Sequence, residues 1–295
     1  IMCCIFFNKI SGKIGMPMLL VFIFIGMIFG SDGILKIPFD NYSFAEQICS
    51  VALIFIIFYG GFGTKWSEAR KVAGKSILLS SVGVIMTAFL TGFFCYFVLK
   101  FELLESLLIG AVLSSTDAAS VFSVLRSKQL NLKYGTASIL ELESGSNDPW
   151  AYMFTLILLS VMKGHSTAKE FVYTLFAQIA FGIALGAAIA AAAVFVLKHV
   201  KFETAGFDAI FVAAVAVLSY AVPSAVGGNG YLSAYIVGIV LGNTKFANKK
   251  SLVHFFDGIT SFSQILIFFL LGLLSFPSHL PQIILPAAAI LLFLT

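Results

Sequence analysis

Charge is what this chain has least of. Only 11% of its 295 residues are Asp, Glu, Lys or Arg, against 60% hydrophobic, and the mean hydropathy is +1.03. A soluble chain carries about a quarter charged residues, so a soluble globular domain is excluded. Cysteine is sparse too: Cys3, Cys4, Cys49 and Cys95 follow no CxxC or other ligand spacing. They read as small apolar residues, which excludes a disulfide framework and a thiolate metal centre. The four histidines, His165, His199, His254 and His279, all fall near loops. No imidazole therefore accompanies Ser120 or Ser146, and a serine protease within the membrane is excluded. Neither a TVGYG-like filter nor a cleavable signal peptide is apparent.

What the chain does have is long apolar runs. They recur at about the 17–25 residues needed to cross a bilayer and predict an all-α polytopic membrane protein in the plasma (inner) membrane. The expected spans are a stub at 1–7, then 14–30, 45–63, 75–99, 106–125, 134–162, 169–197, 207–223, 229–242, 252–276 and an incomplete span from 282. Alternating loops collect Lys9, Lys13, Lys65, Arg70, Lys71, Lys75, Arg126, Lys128, Lys133, Lys198, Lys201, Lys245, Lys249 and Lys250 on one side. Lys36, Lys100, Lys163 and Lys169 fall on the other, a split of 14 to 4 that makes the first side cytoplasmic. The N-terminal stub then starts outside. Such loop lysines account for the net charge of +4 without a nucleic-acid partner.

With this count the eighth segment runs opposite to the stub, as two inverted repeats would require. The chain reads as one membrane domain: a first repeat at about 1–163, a linker helix at 169–197 and a partial second repeat at 207–295. Both ends look cut. Gly26/Gly30, Gly182/Gly186 and Gly238/Gly242 have the spacing of close helix packing.

Two segments carry polar residues at membrane depth. Ser114-Ser115-Thr116-Asp117 interrupts the fifth, where hydroxyls compete for backbone hydrogen bonds and predict an unwound stretch. In the sixth, Glu143-Ser144-Gly145-Ser146-Asn147-Asp148-Pro149 lies between apolar runs. A charged Asp near the bilayer centre costs about 2.5–3.5 kcal/mol on insertion scales, so it is kept only when paired or used. Glu143 with Asn147, and Ser144 with Asp148, are four apart and stack on adjoining helix faces. Carboxylate, hydroxyl and amide oxygens suit an alkali cation; the thiols and imidazoles that soft metals prefer are absent from both segments.

Every lysine and arginine belongs to a loop or a span end, so none at membrane depth neutralises Asp117, Glu141, Glu143 or Asp148. They must hold protons or a transported cation, or find a basic residue beyond Thr295. A buried carboxylate that accepts one guest at a time, opened alternately to each side, exchanges a monovalent cation for H⁺. Asp148 is the expected shared ligand, with Asn147, Glu143 and Asp117 as its company. A passive cation channel or regulated K⁺ efflux pathway is the alternative.

These residues are similar to a known family. Ser114 to Ala119 followed by Glu143 to Pro149 resembles the monovalent cation:proton antiporters of the NhaP type, closest to the bacterial potassium/proton branch. Gly227-Gly228-Asn229-Gly230-Tyr231-Leu232, Gly242-Asn243 and Phe255-Phe256-Asp257-Gly258 resemble that branch as well. The resemblance implies an NhaA-like inverted-repeat fold of thirteen helices, with a core bundle moving against a scaffold that forms a homodimer in the lipid bilayer. It implies that Asp148 binds the ion and carries the proton, and that Thr116 supplies ligand oxygens from a crossed, unwound helix. Glu143 and Ser144 would complete the site, and Asn147 points to electroneutral one-for-one exchange. The transient alkali cation would rest on Asp148, Thr116 and Ser144, with no resident cofactor. The chain departs from the family in lacking a full first helix, the intramembrane arginine, the second crossed helix and the cytoplasmic regulatory region.

Overall fold

A computed structural model describes residue 4 and residues 18–116, 136–164, 168–200, 206–246 and 249–295. The stub at 1–7 lies outside the described residues but for Cys4. In chain order the helices are α1 (Met18–Phe29), α2 (Tyr42–Gly63), α3 (Trp66–Leu78), α4 (Val84–Phe97), α5 (Leu103–Leu113), α6 (Thr136–Met162), α7 (Ala168–His199), α8 (Phe207–Ala225), α9 (Gly230–Asn243), α10 (Lys249–Leu273) and α11 (Leu280–Leu294). Among the described residues there is no strand. Six helical stretches are long and apolar enough to cross a membrane: Tyr42–Gly63, Ala69–Phe97, Val172–His199, Phe207–Ala225, Lys249–Leu273 and Pro277–Leu294. The chain is an all-helical, multi-pass membrane protein.

One expected span differs from what is observed. The one placed at 75–99 begins at Trp66, because the basic stretch Trp66 to Lys75 is helical although too polar for an apolar run to reveal it. A π-helical turn, Leu79–Gly83, then joins α3 to α4. In the span placed at 106–125 the helix ends at Leu113, Ser114 to Thr116 follow in the expected non-helical backbone, and residues 117–125 lie outside the described residues.

The chain clusters into two compact units, residues 1–56 with 250–288 and residues 57–249 with 289–295. In the first unit Phe22 and Ile25 of α1 pack with Ile265, Phe268 and Phe269 of α10. The helices approach so closely that a Cβ on Gly26 would lie 2.3 Å from the Phe269 carbonyl oxygen, and one on Gly272 2.1 Å from that of Ile23. After α1, Asp32 accepts a hydrogen bond from the Ser278 N–H at 2.7 Å. Hydrogen bonds from the Ser278 side chain and backbone hold the Asp32 carboxyl below the usual carboxylate range.

In the second unit α6 is the shared element, touching α3, the π turn, α4, α5, α7 and α9. At 27 residues it is long enough to span, and within its polar run Ser144, Ser146 and Asn147 are buried. Ala88, Ala111, Phe154 and Leu158 form an apolar cluster where α4, α5 and α6 meet. Gly110 makes the α4–α5 contact possible, since a Cβ there would sit 2.1 Å from the Ala88 carbonyl oxygen. Small residues at such contacts are how helices associate where no water drives them together. α9 packs on α7 and α8 and also touches α6.

Candidate functional site

The site forms where α5 stops against the middle of α6. Ser114 ends α5 by turning its hydroxyl onto the Ala111 carbonyl at 2.7 Å, with its N–H on the same oxygen at 3.3 Å. A carbonyl taken by the end of its own turn cannot continue the helical ladder. Ser115 and Thr116 follow in non-helical backbone, as the polar run predicts.

From this end hydroxyls reach α6. Ser115 Oγ donates to Asp148 Oδ1 in a short hydrogen bond, and lies 3.3 Å from Asn147 Oδ1. Thr116 Oγ1 is 3.0 Å from Ser144 Oγ and accepts from Asn147 Nδ2 at 2.6 Å. Ser144 Oγ also lies 3.3 Å from the Thr116 carbonyl oxygen. Asn147 donates to Glu143 Oε1 at 3.2 Å, one turn back on the face the spacing predicts. Asn147 and Ser144 are 0% and 1% exposed, while Asp148 and Glu143 are partly buried. Ser146 bends back onto the Leu142 carbonyl at 2.6 Å and takes no part.

Thr116, Glu143, Ser144, Asn147 and Asp148 are therefore brought together as expected; Asp117 lies outside the described residues. Ser115 was given no role by the sequence, yet its hydroxyl is hydrogen-bonded to Asp148. Its place beside Thr116 at a helix end was the signal. The cluster offers carboxylate, hydroxyl, amide and carbonyl oxygens within hydrogen-bonding distance of one another. Such hard oxygens can exchange mutual hydrogen bonds for a small cation without rebuilding the backbone.

A second set of contacts fixes α6 behind the site. Asn229 caps α9 by accepting the Leu232 N–H at 3.0 Å, and its own N–H donates to the Gln178 carbonyl of α7 at 2.9 Å. Its side-chain amide donates to the Pro149 carbonyl at 3.0 Å, one residue beyond Asp148. An asparagine at a helix N-cap follows the usual preference for a side-chain oxygen there, and its second partner lies 80 residues away in the sequence. Asn229→Ala leaves the Pro149 carbonyl and the Leu232 N–H without these partners, at roughly 1–3 kcal/mol for each stranded buried group. The expected result is a lowered thermal unfolding temperature of the purified protein, read by loss of monodisperse material after heating.

Comparison with known proteins agrees with this architecture. The family described as sodium/hydrogen exchanger, transmembrane, matches residues 1–295. A protein named K(+)/H(+) antiporter NhaP from Alkalimonas amylolytica is 38% identical over 282 residues, 95% of this chain and 49% of that protein. One named K(+)/H(+) antiporter NhaP2 from Shewanella baltica is 35% identical over 286 residues, 96% of this chain and again 49% of the relative. A probable Na(+)/H(+) antiporter 2 from Methanocaldococcus jannaschii is 29% identical over 279 residues, 90% of this chain and 65% of that protein. The chain spans about half the length of the two bacterial relatives. In fold it is similar to the solved sodium proton antiporter MjNhaP1 from Methanocaldococcus jannaschii, with a TM-score of 0.82 and 23% identity over 98% of this chain and 72% of that one. By its match along the whole sequence, this chain belongs to the transmembrane sodium/hydrogen exchanger family.

Proposed function

We propose that the chain forms the ion-translocating part of a secondary antiporter that exchanges a monovalent cation for H⁺. The observation that carries this reading is the meeting of Ser115, Thr116, Ser144 and Asn147 with Asp148 at the broken end of α5. Asp148 holds either a proton or the cation, never both. When a proton is bound, the neighbouring hydroxyls and the amide satisfy one another; when the cation is bound, their oxygens turn to it. Thr116 and Ser144 are its further ligands, and Glu143 holds Asn147 in register. Mutual exclusion at one carboxylate, with access alternating between the two sides, couples the opposed fluxes.

Both K⁺ and Na⁺ fit oxygen ligands. K⁺ is the first choice, because the bacterial relatives above 30% identity are named for K⁺/H⁺ exchange. The protein works as a homodimer in the plasma (inner) membrane, the side with the 14 basic residues facing the cytoplasm and the N-terminal stub starting outside. Its two halves are inverted repeats joined by α7, and Asn147 beside the essential acid goes with electroneutral exchange.

The test uses the intact protein in vesicles carrying a pH gradient. Adding K⁺ or Na⁺ is expected to dissipate the gradient, with little response to membrane voltage. Cation flux without proton movement would instead establish a channel and overturn the reading.

A further inference from the structure

At the basic end of the second unit a cavity of about 430 Å³ opens between the end of α9 and the start of α3. It is lined by Trp66, Ile236, Ile239, Val240, Asn243 and Thr244. That volume falls within the range of about 300–1,000 Å³ usual for small-ligand clefts. The polar side chains of Asn243 and Thr244 in its wall are committed to backbone partners. Asn243 Oδ1 accepts the Trp66 N–H at 2.8 Å, and Asn243 Nδ2 donates to the carbonyls of Thr64 and Ile239, both at 2.8 Å. Thr244 Oγ1 donates to the Val240 carbonyl at 2.7 Å. With those groups spent, the remaining wall is aliphatic and aromatic, and its natural filling is a hydrocarbon chain.

The rim has the opposite character. Trp66 is 47% exposed, and Lys65 and Lys245, the chain neighbours of Trp66 and Thr244, are exposed. The stretch 64–75 carries Lys65, Arg70, Lys71 and Lys75 against the single acid Glu68. Lys249 turns inward, donating to the Gly242 carbonyl with its ammonium 5.3 Å from the Phe62 ring centre, and so closes the end of α9. An apolar slot, a tryptophan at its mouth and an excess of positive charge on the rim match one class of molecule. Tryptophan sits at headgroup level, and basic pockets between spanning helices bind anionic lipid headgroups.

We propose that this cavity is a binding site for an anionic phospholipid, one acyl chain lying against Ile236, Ile239 and Val240 and the phosphate held by Lys65 and Lys245. The site is separate from the ion site and does not depend on which cation is exchanged.

The experiment is native mass spectrometry of the intact protein equilibrated with equal amounts of phosphatidylglycerol and phosphatidylcholine. The unsubstituted protein is expected to keep phosphatidylglycerol in preference. Lys65→Gln with Lys245→Gln should weaken that retention about thirtyfold, from the usual contribution of a lysine at a charged membrane surface. Lys65→Arg with Lys245→Arg should preserve it. Val240→Trp, which fills the cavity while leaving both lysines, should abolish it. Equal retention of the two lipids by the unsubstituted protein overturns the proposal, whatever the variants do. So does unchanged phosphatidylglycerol retention in a folded glutamine pair or a folded Val240→Trp protein.

Discussion

Asp148→Asn in the intact protein is expected to eliminate cation-driven proton exchange at every pH, leaving vesicles indistinguishable from protein-free ones. Asparagine keeps the shape of the side chain and an oxygen to accept the Ser115 hydroxyl, so the contact between α5 and α6 survives. What it removes is the ability to hold a proton and the negative charge that makes the site attractive to a cation. The two losses are separable from misfolding. A cation that binds only the folded state raises thermal stability by mass action, about 2.7 kcal/mol when present at a hundred times its dissociation constant. The unsubstituted protein should therefore melt at a higher temperature as K⁺ or Na⁺ is added, whereas Asp148→Asn should melt at one temperature throughout. If the variant still exchanges with an unchanged pH profile, the exchanging carboxylate lies elsewhere, and the Ser115–Asp148 contact is structural.

The sequence made this acid visible because membranes tolerate so few. Seven consecutive residues from Glu143 to Pro149 inside an apolar run have no reading as lipid-facing surface, and the cost of an intramembrane charge turns composition into a functional statement. The break at Ser114 was legible for the same reason, since hydroxyls in a span compete for the backbone. Helical spacing also placed Asn147 over Glu143, and the two are hydrogen-bonded. What helical spacing could not supply was pairing between segments. That Ser115 reaches Asp148, that Thr116 meets Ser144, and that Asn229 secures the Pro149 carbonyl all depend on how helices distant in sequence cross. Hydropathy also put the start of this span at 75 where the helix begins at Trp66, because a basic helix at the membrane edge leaves no apolar signal.

Gly238→Ala is expected to lower thermal stability sharply, and Gly238→Leu to prevent folded protein from accumulating, although Gly238 makes none of the hydrogen bonds that build the ion site. A Cβ on Gly238 would lie 2.2 Å from the Phe58 carbonyl oxygen, and one on Gly242 2.0 Å from that of Phe62. From the other side, a Cβ on Gly61 would meet the Tyr235 carbonyl oxygen at 2.4 Å. Here α2 and α9 touch backbone to backbone, and no side chain can bend away to make room. Overpacking of this kind costs about 1–3 kcal/mol per site in soluble cores. In a membrane the penalty is felt directly, since packing itself holds spanning helices together. Gly74→Ala in α3 is the control: its added Cβ meets nothing within 4 Å, and alanine favours the helix. Loss of monodisperse protein on heating should separate the two substitutions clearly. The consequence should also reach function, because α9 carries Asn229 to the Pro149 carbonyl and Tyr235 to within 3.5 Å of the Leu142 carbonyl. A Cβ on Gly145 of α6 would itself lie 2.9 Å from the Tyr235 hydroxyl, so α6 has no slack against a displaced α9. Gly238→Ala that survives purification should thus exchange more slowly than its remaining folded fraction accounts for. Rates matching that fraction would show that the α2–α9 contact supports the fold alone.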